Sequence, residues 1–107
     1  MSVEKIRALN DAFRTTMTGG TVVMTAGVDA LASDVKAAVI RRIATFSEFT
    51  PENDPHGEHD FGRFSLAGRK FFFKIDAYDA DMRYGSEDPA DPAKTTRVLT
   101  IMLADEY

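Results

Sequence analysis

The sequence predicts a small two-layer α+β domain, with helices on one face of an antiparallel sheet of about three strands, in the order α-β-α-β-β-α. Two patterns indicate this class: apolar residues recur every three or four positions over residues 2–17, as in a helix, and alternate with polar ones over 70–78, as in a strand. The chain has 107 residues, 44% of them hydrophobic, which suffices to bury one core. We therefore expect residues 1–107 to form a single domain.

The first helix is predicted over residues 2–17. Its apolar stripe consists of Val3, Ile6, Leu9, Phe13 and Met17. Ser2 is suited to cap its start, and Gly19 and Gly20 favour its end because glycine accepts the left-handed conformation of a C-cap. Residues 21–26 are mostly β-branched and apolar and are bounded by glycine on both sides, so they predict a short strand.

A second helix and a hairpin are predicted next. The helix runs from its cap Ser33 to Phe46, and its apolar face consists of Val35, Val39, Ile43 and Phe46. After a polar loop, residues 61–67 and 70–78 predict two strands joined by a tight turn at 68–69. The core face of the second strand is expected to consist of Phe71, Phe73, Ile75 and Ala77.

Residues 95–106 fit two structures. A helix would bury Val98, Leu99, Met102 and Leu103. A strand would bury Leu99, Ile101 and Leu103. We predict a helix, because Asp91-Pro92 combines a good N-cap residue with a proline at the first helical position.

Composition excludes several classes of protein. The chain has no cysteine, which excludes disulfides, thiolate metal sites and cysteine nucleophiles and favours the reducing cytoplasm. The first residues lack the apolar segment of a signal peptide, and no apolar run reaches the roughly 20 residues of a membrane span. Basic residues do not cluster with aromatic ones, and the net charge is −4. We expect a cytoplasmic protein without membrane or direct nucleic-acid contacts.

Two acidic loops, residues 48–60 and 79–91, are the predicted contact surface for a protein partner. Both are polar and contain proline, and the first is long for a compact domain, which is typical of functional loops. The candidate contact residues are Glu52, Asp54, Glu58, Asp60, Tyr78, Asp79, Asp81, Tyr84, Glu87 and Asp88. No catalytic residue and no cofactor are assigned. One combined site requires that the two loops converge in the fold.

A metal site is the main alternative. His56, Glu58 and His59 combine imidazole and carboxylate groups that suit a transition metal, and a metal-bound water would make the chain a small hydrolase. Against this, Pro55 and Gly57 indicate ordinary turn chemistry. Two weaker alternatives are a calcium site among the carboxylates of residues 76–81 and an acid–base pair of carboxylates.

A third interpretation is a structural homodimer. The strand over residues 70–78 carries Phe72 and Tyr78 on the face opposite its core residues. Because this second face is partly apolar, another molecule of the same chain could cover it.

Five segments resemble a bacterial domain-of-unknown-function family, number 3768. They are IRALNDAFR (6–14), TGGTVVMTAGV (18–28), FTPENDPHGEHDFG (49–62), FFKIDAYDADMRYGSEDPADP (72–92) and TRVLTIMLADEY (96–107). The resemblance implies a bacterial setting, often on plasmids, conjugative elements or phage-derived islands, and no established activity. It directs our main hypothesis to a non-catalytic protein-binding module, such as an inhibitor of a host defence system (anti-restriction or anti-CRISPR type).

Overall fold

A computed structural model of the chain describes residues 2–107. The helices are α1 (Val3–Thr16), α2 (Ala26–Asp29) and α3 (Ser33–Ala44). The strands are β1 (Thr21–Met24), β2 (Phe61–Leu66), β3 (Arg69–Tyr78) and β4 (Thr96–Leu103). Short 3₁₀ turns precede and follow β4 at Pro92–Lys94 and Ala104–Glu106. The α+β class is confirmed, with three helices and four strands among the described residues.

The sheet is mixed and has the strand order β1-β4-β3-β2. β4 lies antiparallel to β3 and parallel to β1. The predicted three-stranded antiparallel sheet and its element order are therefore wrong. The difference arises from β4, which enters the sheet between β3 and β1 and makes the first strand an edge strand with a parallel neighbour.

The predicted final helix is replaced by β4. Five of its eight residues are buried and apolar: Val98, Leu99, Ile101, Met102 and Leu103. Val98 and Met102 on one face of β4 and Leu99, Ile101 and Leu103 on the other are all buried. The strand therefore shows a nearly continuous apolar run that resembles a helix in sequence. The Asp91-Pro92 signal does start a helix, and Asp91 accepts a hydrogen bond from the Ala93 amide, but this helix is a single 3₁₀ turn.

The core lies between the helices and one face of the sheet. Helical residues Phe13, Val28, Val39 and Ile43 meet strand residues Phe64, Phe71, Phe73, Ile75, Leu99, Ile101 and Leu103. The predicted core faces of α3 and β3 are confirmed at most positions; Val35 and Ala77 are half-buried. In α1 the stripe is shifted, because Val3 is exposed while Asn10 and Arg14 are buried.

The helix caps and the hairpin turn differ in detail from the predictions. Ser2 caps α1 by accepting from the Lys5 amide, as predicted, but Met17 rather than a glycine adopts the left-handed C-cap. Ser33 is the first residue of α3 and not its cap. The hairpin turn is Ala67-Gly68, with φ of 54° and 75°. Two positive φ values are typical of the turns that match strand twist in two-residue hairpins.

The face of the sheet away from the helices is called the open face here. Side chains that alternate with the core positions lie on it: Phe61, Arg63, Lys70, Phe72, Lys74, Asp76, Val98 and Met102. Within residues 2–107, α1, α2 and α3 all pack on the other side. Tyr107 lies against Phe61 and Phe72 on the open face.

Candidate functional site

The two acidic loops lie at the same end of the sheet. Residues 47–60 lead into β2, and residues 79–95 connect the end of β3 to the start of β4. Since β3 pairs antiparallel with both β2 and β4, the start of β2, the end of β3 and the start of β4 lie at the same end of the sheet. The two loops therefore lie at one end of the fold, as a combined acidic site requires.

A buried polar pair connects the two loops. Asn10 on α1 donates its amide to the Glu58 carbonyl at 2.9 Å, and its side-chain oxygen accepts from Arg97 Nε at 2.7 Å. Arg97 also donates through Nη2 to the Pro89 carbonyl. Asn10 and Arg97 are each 4% exposed, so this pair is shielded from water. One chain of hydrogen bonds thus runs from the first loop, through the core side of the domain, to the second loop.

Sequence reasoning missed this pair. Asn10 lies between Ile6 and Phe13 on the buried side of α1, and Arg97 starts an otherwise apolar strand. A polar residue at a core position of an amphipathic element is the signal that could have indicated it, because a buried polar group requires a partner. The identity of that partner is not encoded locally.

The first loop is held on α1. Asp54 Oδ1 accepts hydrogen bonds from the amides of Glu58 and His59, at 3.1 and 3.2 Å, and Arg7 Nε donates to the Gly57 carbonyl. Asp54 is only 7% exposed. It therefore closes the loop from inside, and the structure removes it from the predicted contact surface, whereas Glu52 remains exposed.

His59 is held in place by its surroundings. Its Nδ1 lies 2.9 Å from Asp11 Oδ1, and its ring stacks on Phe49 with centroids 3.8 Å apart and an interplanar angle of 4°. Asp11 also pairs with Arg14 at 2.9 Å. The α1 side chains Asp11 and Arg14, which sequence reasoning did not single out, thus anchor this loop.

The predicted metal ligands are not brought together. His59 is occupied by Asp11, and His56 is exposed. Across residues 2–107, no group of three or more histidine, aspartate or glutamate side chains is arranged to hold a metal ion. The geometry therefore offers no support for the metal-dependent hydrolase.

Carboxylates at this end of the sheet repel one another. Burial raises the pKa of Glu58, and nearby Asp60 and Asp54 raise it further, while His56 and Arg97 lower it. The pKa of Asp60 is also raised, first by burial and then by Asp54 and Asp76. Glu58 and Asp60 are half-buried and Asp54 is buried, so these carboxylates lie close together at the start of β2.

The second loop forms an open groove of about 480 Å³, lined by Asp79, Ala80, Asp81, Tyr84, Gly85, Glu87, Ala93 and Lys94. Tyr84 is 73% exposed. Asp79 accepts from the Arg83 amide, and Asp88 from the Ala90 amide, so these two carboxylates shape the loop as well as charge it.

The predicted contact residues separate into distinct groups. Asp81, Tyr84 and Glu87 are exposed in the groove. Glu58 and Asp60 are half-buried near the connection between the loops, whereas half-buried Tyr78 lies at the end of the open face, opposite Thr96.

Charge is strongly polarised along the molecule. Residues 48–60 and 79–91 contain ten of the seventeen acidic residues but only one of the thirteen basic residues. The rest of the chain therefore carries an excess of positive charge, although the whole chain has a net charge of −4. Within residues 2–107, no helix is long and apolar enough to cross a membrane.

Comparison with known proteins identifies the family. A family model described as "protein of unknown function (DUF3768)" matches residues 24–106, more than three quarters of the chain. No curated protein and no solved structure matches the chain. The matched residues include both acidic loops and all four strands except the first three residues of β1. The chain therefore belongs to the DUF3768 family of proteins of unknown function.

Proposed function

We propose that this protein is a non-catalytic binding module whose acidic end contacts a basic surface of a protein partner. The observation that carries this proposal is the hydrogen-bonded connection of both acidic loops through Asn10 and Arg97. Loops that are joined before binding lose less conformational freedom when a partner docks, which favours affinity.

Charge supports the choice of partner. An end of the molecule that concentrates carboxylates attracts a positively charged surface over several ångströms and accelerates association. Exposed Tyr84 beside these carboxylates adds a side chain that is common in protein interfaces. A nuclease or restriction complex of a bacterial defence system has the required basic, nucleic-acid-binding surface, so we propose this class of protein as the partner.

A matched pair of charge reversals tests the proposal. Asp81→Lys changes an exposed residue of the groove, and Asp105→Lys makes the same change beside the hairpin end of the sheet. Each variant and the wild type would be used as bait in a bacterial lysate, and affinity for the recovered partner measured by calorimetry. We expect Asp81→Lys to weaken binding about tenfold, or about 1.4 kcal/mol, and Asp105→Lys to have little effect.

Salt provides a second readout. Since the contacts are between exposed charges, raising the ionic strength should weaken binding of the wild type more than that of Asp81→Lys. Repeated failure to recover a stoichiometric partner, or equal affinities of the two variants, would contradict the proposal.

A further inference from the structure

We propose that the open face of the sheet binds a second copy of this chain, face to face, about a two-fold axis that lies between the two sheets and runs across the strands. This surface is distinct from the groove of the second loop, and the inference does not depend on the function proposed above.

The apolar part of this surface is an aromatic patch of Phe61, Phe72 and Tyr107. The ring of Tyr107 lies 5.3 Å from that of Phe72 and 6.1 Å from that of Phe61. Tyr107 is 75% exposed, whereas Phe61 and Phe72 are half-buried, so the Tyr107 ring is the most accessible part of the patch. Aromatic side chains gathered on a sheet face without a helix over it are costly to leave in water, and another sheet can cover them at about 10 Å separation.

The charges on the open face are complementary to themselves. Lys74 and Asp76 are neighbours on β3, with Nζ and Oδ2 3.1 Å apart, and each side chain is 38% exposed. A two-fold axis across the strands reverses the strand direction of the second copy. If it passes between the rows of these two residues, Lys74 of each copy faces Asp76 of the other, and four charges of alternating sign surround the axis.

The same reversal improves the long-range electrostatics. Arg63 and Lys70 lie on the open face toward the hairpin turn, at the end opposite the acidic loops. Reversing one copy brings Arg63 and Lys70 of that copy toward the acidic loops of the other. An axis along the strands would place like charges together. Charge polarity therefore selects one of the two face-to-face arrangements.

The available area suits a weak, concentration-dependent pair. The strands have 4, 6, 10 and 8 residues, and at about 4.8 Å spacing and about 3.3 Å per residue they cover roughly 440 Å². Two copies would bury roughly 900 Å² of flat area, which is close to the lower bound for a specific interface. Side chains make the true accessible area larger than this flat estimate.

The test measures the mass of the intact chain by sedimentation equilibrium over protein concentrations from about 1 µM to about 1 mM. The wild type is expected to convert from monomer to dimer. Lys74→Asp alone and Asp76→Lys alone should each remain monomeric, because either change surrounds the axis with four like charges. An equimolar mixture of the two variants should form a heterodimer, since it restores opposite charges.

Two further variants keep the result interpretable. Arg41→Asp reverses an exposed charge on α3, away from the open face, and should dimerise like the wild type. Tyr107→Ser removes an exposed ring and should weaken dimerisation at least fivefold while leaving the far-ultraviolet circular dichroism spectrum unchanged. A wild type that is monomeric throughout, or a variant mixture that fails to associate although both variants are folded, would overturn the inference.

Discussion

At the scale of single residues, buried polar side chains position the acidic loops. Asn10 uses both its donor and its acceptor, and Arg97 spans from that acceptor to the Pro89 carbonyl. Burial lowers the pKa of Arg97, while the nearby Glu58 carboxylate raises it. The arginine remains charged at neutral pH because its ordinary pKa is very high. A buried cation with few partners is strongly tied to those it has.

Replacing Arg97 should therefore break the hydrogen-bonded connection between the two loops. Arg97→Met removes both hydrogen bonds and leaves the Asn10 oxygen and the Pro89 carbonyl without their donor. We expect the free energy of unfolding in urea to fall by about 2–3 kcal/mol. Arg41→Met, at an exposed position of α3, serves as the control and should change it by less than about 0.5 kcal/mol. Equal effects would show that Arg97 has no special structural role.

Glu58 makes stability depend on pH. Its folded pKa lies above the ordinary value of 4.5, so the folded state favours the protonated carboxyl. Its stabilising contribution is complete below pH 4.5 and is lost as pH rises through the folded pKa. Glu58→Gln, which cannot ionise, should thus be more stable than the wild type near neutral pH, by less than about 1 kcal/mol.

Urea unfolding at a series of pH values checks this sign. The stability advantage of Glu58→Gln should grow as pH rises from 4.5 toward neutrality. A wild type that gains stability relative to the variant over that interval would contradict the proposed effect of burial.

At the scale of elements, close packing between β2 and β3 depends on Gly62. This buried glycine lies opposite Phe73, and a Cβ atom at position 62 would collide with the Phe73 ring. Phe73 is fully buried and contacts Phe46 edge to face at 5.3 Å. The Phe73 ring therefore has little freedom to move aside, and the helix layer packs against the sheet at this point.

A pair of glycine substitutions tests this packing. Gly62→Ala should lower the free energy of unfolding by about 1–3 kcal/mol through overpacking. Gly85→Ala is the matched control, because the nearest atom to its added Cβ is 4.0 Å away. Thermal unfolding followed by circular dichroism measures both. Equal melting temperatures for the two variants would show that β2 and β3 accommodate the added methyl group without loss of stability, and would contradict the prediction.

At the scale of the whole molecule, one core and one polarised charge distribution dominate. Residues from α1, α2, α3 and three of the strands join in a single cluster of buried side chains. The acidic loops gather at one end, outside this core, where exposed carboxylates such as Glu52, Asp81 and Glu87 are hydrated and screened by salt. We therefore expect the domain to unfold as one cooperative unit.

Two spectroscopic probes can check cooperativity. The chain has three tyrosines and no tryptophan, so tyrosine fluorescence reports the sheet and loops while far-ultraviolet circular dichroism reports mainly the helices. The two urea transitions should coincide. Ile43→Ala, which removes a fully buried side chain of α3, should shift both together by about 2–5 kcal/mol. Separate transitions would indicate two independent units.

The sequence by itself determined the local structure. Spacings of three and four predicted α1 and α3, alternation predicted β3, and proline with carboxylates predicted the two acidic loops. Each of these signals depends on residues within a few positions of one another, which is the range over which side-chain periodicity acts. Even the error in residues 95–106 was local, because a doubly buried strand lacks alternation.

Only the tertiary structure decided how these pieces meet. It placed β4 between β1 and β3, brought the acidic loops to one end, and left the open face without a helix. The Asn10–Arg97 hydrogen bond joins residues 87 positions apart. A polar residue in an apolar pattern indicates that it needs a hydrogen-bond partner, but the local sequence does not identify that partner. Long-range partners follow from the closure of the whole core, since a buried polar group bonds to whatever the packed fold brings within reach.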